Sequence, residues 1–286
     1  MANTASEPAT RLQIAQHLAA LQNRAGLTKT EIAQRARCGT STVTRYLEWR
    51  STGRLTVHMV RSLADACGAT AAERDALAQL VASQSAGWQL DVPGVPAWMD
   101  PLVSFEAVAQ YIHVYACALV PGLLQTPAYA LATHKASDPD ATLEEIERKA
   151  AARIRRQDVL QRDDLHLRVV LAESALRWSV GGPDVMRQQI DHLRKMMDHP
   201  RVDLRILPYA AGASAAGSGG NFVVLGRDGE SGDLPMTVVY LELHQRGLYL
   251  DTPADTDAYK VMFNSLHDQA ADGSAILAAA SKESSE

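Results

Sequence analysis

Gly26-Leu27-Thr28-Lys29-Thr30-Glu31-Ile32-Ala33, followed after a short break by Thr40-Ser41-Thr42-Val43-Thr44-Arg45-Tyr46-Leu47-Glu48, decides how the first part of this chain folds. Thr28 and Glu31 have the spacing of a capping box, in which a hydroxyl and a carboxylate satisfy orphan amides at a helix start. A short helix over about 29–36 follows, then the turn Arg37-Cys38-Gly39, then a helix over 40–48 with Val43 and Tyr46 or Leu47 facing inward. Two short helices joined by a tight turn, the second led by small hydroxyl side chains, form a helix-turn-helix. Upstream, Leu12, Ala15, Leu18 and Leu21 give a helix over 9–24 one apolar face. Gly26 ends it by supplying left-handed backbone. Downstream, helices fit 57–67 and, from a second capping box at Thr70 and Glu73, 70–80. The region reads as five helices.

The chain has 286 residues, 47% hydrophobic and 21% charged. At roughly 100–200 residues per domain, this is one large domain or two. The composition excludes wholesale disorder, collagen and coiled coil. No apolar run approaches the ~18 residues that cross a bilayer, and the first residues lack a basic stretch followed by an apolar one. Cys38, Cys67 and Cys117 are odd in number and have no C-x-x-C spacing, as expected of reduced thiols in a cytoplasm. A cytoplasmic protein with no membrane association is the expectation. Charge is unevenly divided: residues 1–87 carry ten Lys/Arg against six Asp/Glu, and residues 88–286 eighteen against twenty-seven. A basic module on an acidic body points to a polyanion partner for the first part only.

Ser, Gly and Pro concentrate between Ser83 and Pro96, and proline disfavours helix in the residue before it. The expected organisation is therefore a DNA-binding domain at 1–83, a linker at 84–96, a second domain at 97–280 and a disordered tail at 281–286. The second domain mixes types. Strands are expected at 111–117, with helix as the alternative over the first half of 106–119, and at 165–172, 202–207, 221–226, 237–243 and 248–250. Helices are expected entering at Pro121–Tyr129, over 142–161 from the capping pair Thr142 and Glu145, at 183–197 with a Met186, Ile190, Leu193 and Met197 stripe, and at 252–269. This is an α+β domain with a mainly antiparallel or mixed sheet.

The stretches Gly26–Ala33 and Ser41–Leu47 resemble the Xre-type helix-turn-helix of phage-repressor-like regulators over about 60 residues. Arg37 stands where that family usually has glycine, and Gly39 where a serine or threonine commonly caps the recognition helix. The resemblance implies a lambda-repressor-like bundle whose second motif helix enters the major groove of double-stranded DNA. Thr40, Ser41, Thr42, Thr44 and Arg45 are then candidates for base edges. Lys29, at a helix N-terminus, is a candidate for a phosphate, and Arg35, Arg50 and Arg54 for further phosphates. One such module has little contact area, so a homodimer on paired half-sites is expected.

A second resemblance covers nearly all of 97–280. Glu106, Pro121–Thr126 with Tyr129-Ala130, Arg153–Gln157, Glu173–Leu176, Gly181-Gly182, Leu207-Pro208, Gly220–Phe222 and Val239–Glu242 are similar to the C-terminal domain of unknown function that follows Xre-type modules in actinobacterial antitoxin-like regulators. That family implies a small protein partner encoded nearby. Several of the matched residues are polar in apolar settings: Glu106, Gln125, Arg153, Arg156, Gln157 and Glu173. Buried charges need partners, so these form a network that either scaffolds the domain or lines a pocket for a ligand or peptide.

No catalytic constellation is present. Gly212–Ala216 ends in Ala where a nucleophile elbow needs Gly, and Gly217–Gly220 lacks both P-loop lysine and Rossmann spacing. Glu242 and His244 share a strand face without a third metal ligand nearby in sequence. Arg148, Lys149, Arg153, Arg155, Arg156 and Arg162 interleave with acids, as on a solvated helix face. The expectation is a non-enzymatic transcription regulator, with no cofactor or metal, whose C-terminal domain binds a small protein and dimerises. The alternative is a metabolite sensor with a pocket in that domain.

Overall fold

The computed structural model describes residues 8–51, 53–82, 99–217, 219–229, 234–244 and 246–283. The chain divides into two compact units, one of Met1–Leu90 with Gly226–Met236, the other of Asp91–Leu225 with Thr237–Glu286. The linker expected at 84–96 lies outside the described residues.

The first unit carries α1 (Pro8–Ala25), α2 (Lys29–Arg35), α3 (Thr40–Leu47), α4 (Val57–Ala66) and α5 (Ala71–Ala82). Both capping boxes form. Thr28 N donates to Glu31 Oε2 at 2.8 Å while Thr28 Oγ1 accepts from Glu31 N at 3.2 Å; Thr70 and Glu73 repeat the exchange at 2.7 and 3.2 Å. Gly26, at φ 64°, ends α1. Leu18 and Leu21, Ile32, Val43 and Tyr46, Val60 and Leu63, and Leu77 close one apolar core.

Two local features depart from the sequence reading. Arg37 has φ 51°, so a side chain that costs about 1–2 kcal/mol in this region occupies a glycine position. The turn is held by a Schellman pair, Cys38 N to Ala33 O at 2.9 Å and Arg37 N to Gln34 O at 3.2 Å. The second feature is Leu234, which lies far from this module in sequence. It is buried in the same core, and its carbonyl accepts from Gln13 Nε2 at 3.0 Å. A contiguous division at 83–97 misses it, because one leucine among Gly, Asp and Glu has no periodicity to reveal it.

Arg24 on α1 clasps Glu73 of α5 through two hydrogen bonds of 2.7 and 3.0 Å. The guanidinium first, then the Thr70 amide, hold the Glu73 carboxyl down at about 2. That lies below its ordinary value, so the contribution is complete above the unfolded value of about 4.3 and is lost as pH falls toward 2. In thermal melts from pH 7 to 2, Glu73→Gln is expected to melt below wild type at neutral pH, with the gap closing at the acid end. A constant gap would show that charge contributes nothing at this site.

The second unit and its sheet contain α6 (Asp100–Val108), β1 (Tyr111–Ala116), α7 (Pro127–Ser137), α8 (Leu143–Arg156), β2 (His166–Ala172), α9 (Pro183–Met197), β3 (Val202–Leu207), β4 (Phe222–Arg227), β5 (Met236–Leu243), β6 (Arg246–Leu250), α10 (Pro253–Gln269), β7 (Ala271–Asp272) and α11 (Ser274–Glu283). The seven strands run β6-β5-β4-β1-β2-β3-β7. β1, β2 and β3 are parallel, with Val114 beside Val169 and Val169 beside Leu204. β7 joins β3 and β6 joins β5 antiparallel, making the sheet mixed. Phe263 and Leu266 of α10 pack with Val170, Val224 and Val239. Strand alternation puts Ile112, Val114, Val169 and Leu171 on the opposite face, where they are also buried.

α11 and β7 were not anticipated. α11 carries the chain to Glu283, into the segment read as a disordered tail. Its apolar content is mostly alanine, so no stripe marks it, yet Leu277 and Ala280 are buried. Gly273 permits the approach, since a Cβ there would collide with the Ile206 side chain. The helix expected to reach 161 ends as α-helix at Arg156 and continues as one 3₁₀ stretch, Gln157–Gln161. Among the described residues, no helix is long and apolar enough to cross a membrane.

Candidate nucleic-acid interface and C-terminal pocket

In α3, Val43 and Tyr46 face the core, and the opposite side presents Thr40, Ser41 and Arg45 to solvent with Thr42 and Thr44 half-buried. The helix starts at Gly39, which offers no side-chain cap, so hydroxyls at the first turn are not consumed in capping. Arg45 makes no ion pair with Glu48 or any other described carboxylate; its guanidinium sits 5.5 Å from the Tyr46 ring centre. Lys29 is exposed at the first position of α2. Arg54 is exposed, and Arg50 stacks at 4.5 Å on Trp49. Of the arginines expected at phosphates, Arg35 is partly engaged elsewhere, donating to Ala66 O at 3.3 Å.

What positions α3 is Arg11, which sequence reasoning had counted only as part of the basic balance. It is 4% exposed, with Nε on Trp49 O at 3.0 Å, Nη1 on Gly53 O at 2.7 Å and Nη2 on Arg45 O at 3.5 Å. A cation at a helix C-terminus complements the carbonyl end of the dipole. Burial pushes this guanidinium below its ordinary value. Tyr46 Oη accepts from Thr56 N at 3.0 Å and fixes the start of α4 against α3.

In the second unit, five of the six expected network residues come together. Arg156 grips Glu106 in two bonds of 3.0 and 2.6 Å, the pair 10% and 4% exposed. Burial opposes the Arg156 charge and Glu106 more than restores it, so its proton affinity is raised. Arg153 Nη1 donates to Gln125 Oε1 at 2.9 Å and Thr133 Oγ1 at 3.2 Å. Gln157 Nε2 reaches Gly122 O at 2.9 Å and Gln125 O at 2.7 Å. Glu173 stands apart: it binds Arg177 at 2.8 Å and the Tyr209 amide at 3.0 Å. Thr133 and Gln189 join the network without any sequence signal beyond being polar, Gln189 bridging Thr126 N and Leu124 O at 2.8 and 2.7 Å.

The network borders a cavity of about 190 Å³, lined by Arg153, Arg156, Glu106, Tyr240, Glu242 and apolar side chains including Leu102 and Leu123. Arg153 has no carboxylate at hydrogen-bond distance, and burial lowers it to about 10. Tyr240 is 3% exposed, and its hydroxyl has no hydrogen-bond partner among the described residues. Its proton affinity is raised, by burial first and then by Glu242. Among the described residues, no group of three His, Cys, Asp or Glu side chains is placed to hold a metal ion.

An exposed second motif helix on a buttressed helical unit, in a chain with an α+β domain, defines a helix-turn-helix DNA-binding regulator. Residues 13–77 match the family model described as a helix-turn-helix domain. Residues 99–279 match the one described as Domain of unknown function DUF5753, and the chain belongs to that family. No curated protein and no solved structure matches it.

Proposed function

We propose that this protein is a sequence-specific, non-enzymatic transcription regulator, homodimeric on paired half-sites, whose C-terminal domain receives the regulatory signal. The observation that carries this reading is the exposed, unpaired Arg45 beside Ser41 and Thr40 on the outer face of α3. Arg and hydroxyl side chains at that position read base edges, each good bidentate pair discriminating by about 1–3 kcal/mol. A small protein partner, the antitoxin-like arrangement, is supported by Trp178 and Tyr209, 62% and 63% exposed. Glu173 ties their two segments together, and exposed aromatics are the residues interfaces favour.

The test is filter or fluorescence binding of variants to the protein's own upstream DNA and to random DNA. Arg45→Ala and Ser41→Ala are expected to cut specific binding about 5- to 100-fold and leave random DNA little affected. Lys29→Ala is expected to weaken both evenly and reduce the salt slope by about 1. Wild-type behaviour in all three would assign the recognition helix elsewhere.

A second reading is favoured by the cavity under Tyr240. A 190 Å³ space with a guanidinium that has no carboxylate partner and an unpartnered hydroxyl is a ligand site more than a scaffold. In this reading a metabolite bound there shifts the DNA-binding equilibrium.

A further inference from the structure

The cavity in the second unit has a defined polar end. Four charged groups line it: Arg153, Arg156, Glu106 and Glu242. Two of them, Arg156 and Glu106, close on each other through one guanidinium edge, Nε and Nη2, and both carboxylate oxygens. The other two do not meet. Arg153 spends Nη1 on the neutral oxygens of Gln125 and Thr133, and Glu242 has no hydrogen bond or ion pair among the described residues. Glu242 is near enough for its charge to act on both arginines. Tyr240 lies two residues before it on the same face of β5, its hydroxyl unpartnered and within the fields of Arg156, Glu106 and Glu242. One open cation, one open anion and one buried hydroxyl therefore border a single space.

Gln125 and Asn221 add neutral polar groups to the lining, and Leu102, Ile112, Val114, Val120 and Leu123, all buried, give it an apolar side. A cavity of about 150 Å³ holds benzene, so 190 Å³ suits a molecule of roughly eight to ten heavy atoms. A monoanion would satisfy Arg153 and leave Glu242 repelling it. A monocation would do the reverse.

We propose that this cavity binds a small zwitterion with an apolar side chain, of the chemical class of an aliphatic α-amino acid. Its carboxylate meets Arg153 and the Tyr240 hydroxyl, its ammonium meets Glu242, and its side chain lies among Leu102, Val120 and Leu123. The inference rests on the metabolite-sensing reading above and names the ligand class for that site.

The experiment is calorimetric titration of the full-length protein with L-leucine, 4-methylpentanoate and 3-methylbutylamine, three probes that share one apolar body and differ in their charges. Leucine is expected to bind at least tenfold more tightly than either single-charge analogue. Tyr240→Phe, which removes an unpaired buried hydroxyl and so folds at least as well as wild type, is expected to weaken leucine fivefold or more. Glu242→Gln, at an exposed position, is expected to erase leucine's advantage over the acid without weakening the acid. Equal binding of leucine and 4-methylpentanoate overturns the zwitterion while leaving a sensing pocket in place. Tight leucine binding with no change in affinity for the upstream DNA overturns the sensing reading and leaves the ligand class standing. No binding by any probe overturns both.

Discussion

Arg11→Met is expected to destabilise the N-terminal unit by about 3 kcal/mol and, through that, to remove sequence-specific DNA binding. Its guanidinium is buried and donates at 3.0 and 2.7 Å to the carbonyls of Trp49 and Gly53, with a weaker 3.5 Å contact to Arg45 O. Hydrogen bonds to a charged group contribute about 1.5–3 kcal/mol each, and carbonyls left unpaired in a buried setting add desolvation cost. The carbonyls belong to the end of α3 and the loop behind it, so the loss falls on the helix proposed to read DNA. Urea denaturation followed by circular dichroism measures it directly. If Arg11 instead touched phosphate, the variant would keep wild-type stability and lose DNA affinity with a shallower salt slope. That pattern would reject the buttress.

Arg156→Met is expected to cost about 3–5 kcal/mol in the C-terminal unit. The substitution leaves Glu106, 4% exposed on its side chain, as an uncompensated carboxylate. The companion Glu106→Leu/Arg156→Met removes both charges, and buried pairs replaced by apolar side chains are often neutral in stability. The double variant is therefore expected to recover most of the loss, with a coupling energy of several kcal/mol in the cycle. A single variant within about 1 kcal/mol of wild type would show that water or another group reaches Glu106.

The N-terminal fold was legible because its signals are local. The Thr28–Glu31 and Thr70–Glu73 boxes, Gly26 and the Leu12, Leu18 and Leu21 spacing each act within one or two turns of helix, and each forms as read. The outward placement of Ser41 and Arg45 follows from the same periodicity. Arg11 was not legible, since its partners are backbone carbonyls 34 to 42 residues away and carry no side-chain signature. Leu234 was hidden for a similar reason, being one apolar residue that joins a core assembled from elsewhere in the chain.

In the C-terminal domain, polar residues in apolar stretches marked Glu106, Gln125, Arg153, Arg156 and Gln157, and these do converge. Polarity alone does not give distance, and Glu173 proved to serve a different pair of segments. Tyr240 and Glu242 stood out only as part of a matched strand motif and, for Glu242, as an incomplete metal pair with His244. Their role depends on which groups stand across the cavity, and strand register and helix placement decide that.

In the function proposed above, α3 reads a particular DNA sequence. The most direct test is the affinity of the full-length protein for its own upstream DNA against random DNA of equal length, at about 50 and 200 mM salt. A specificity ratio of 10³ or more is expected, retained at the higher salt while both absolute affinities fall. Equal affinity for the two DNAs at both salt concentrations would contradict it.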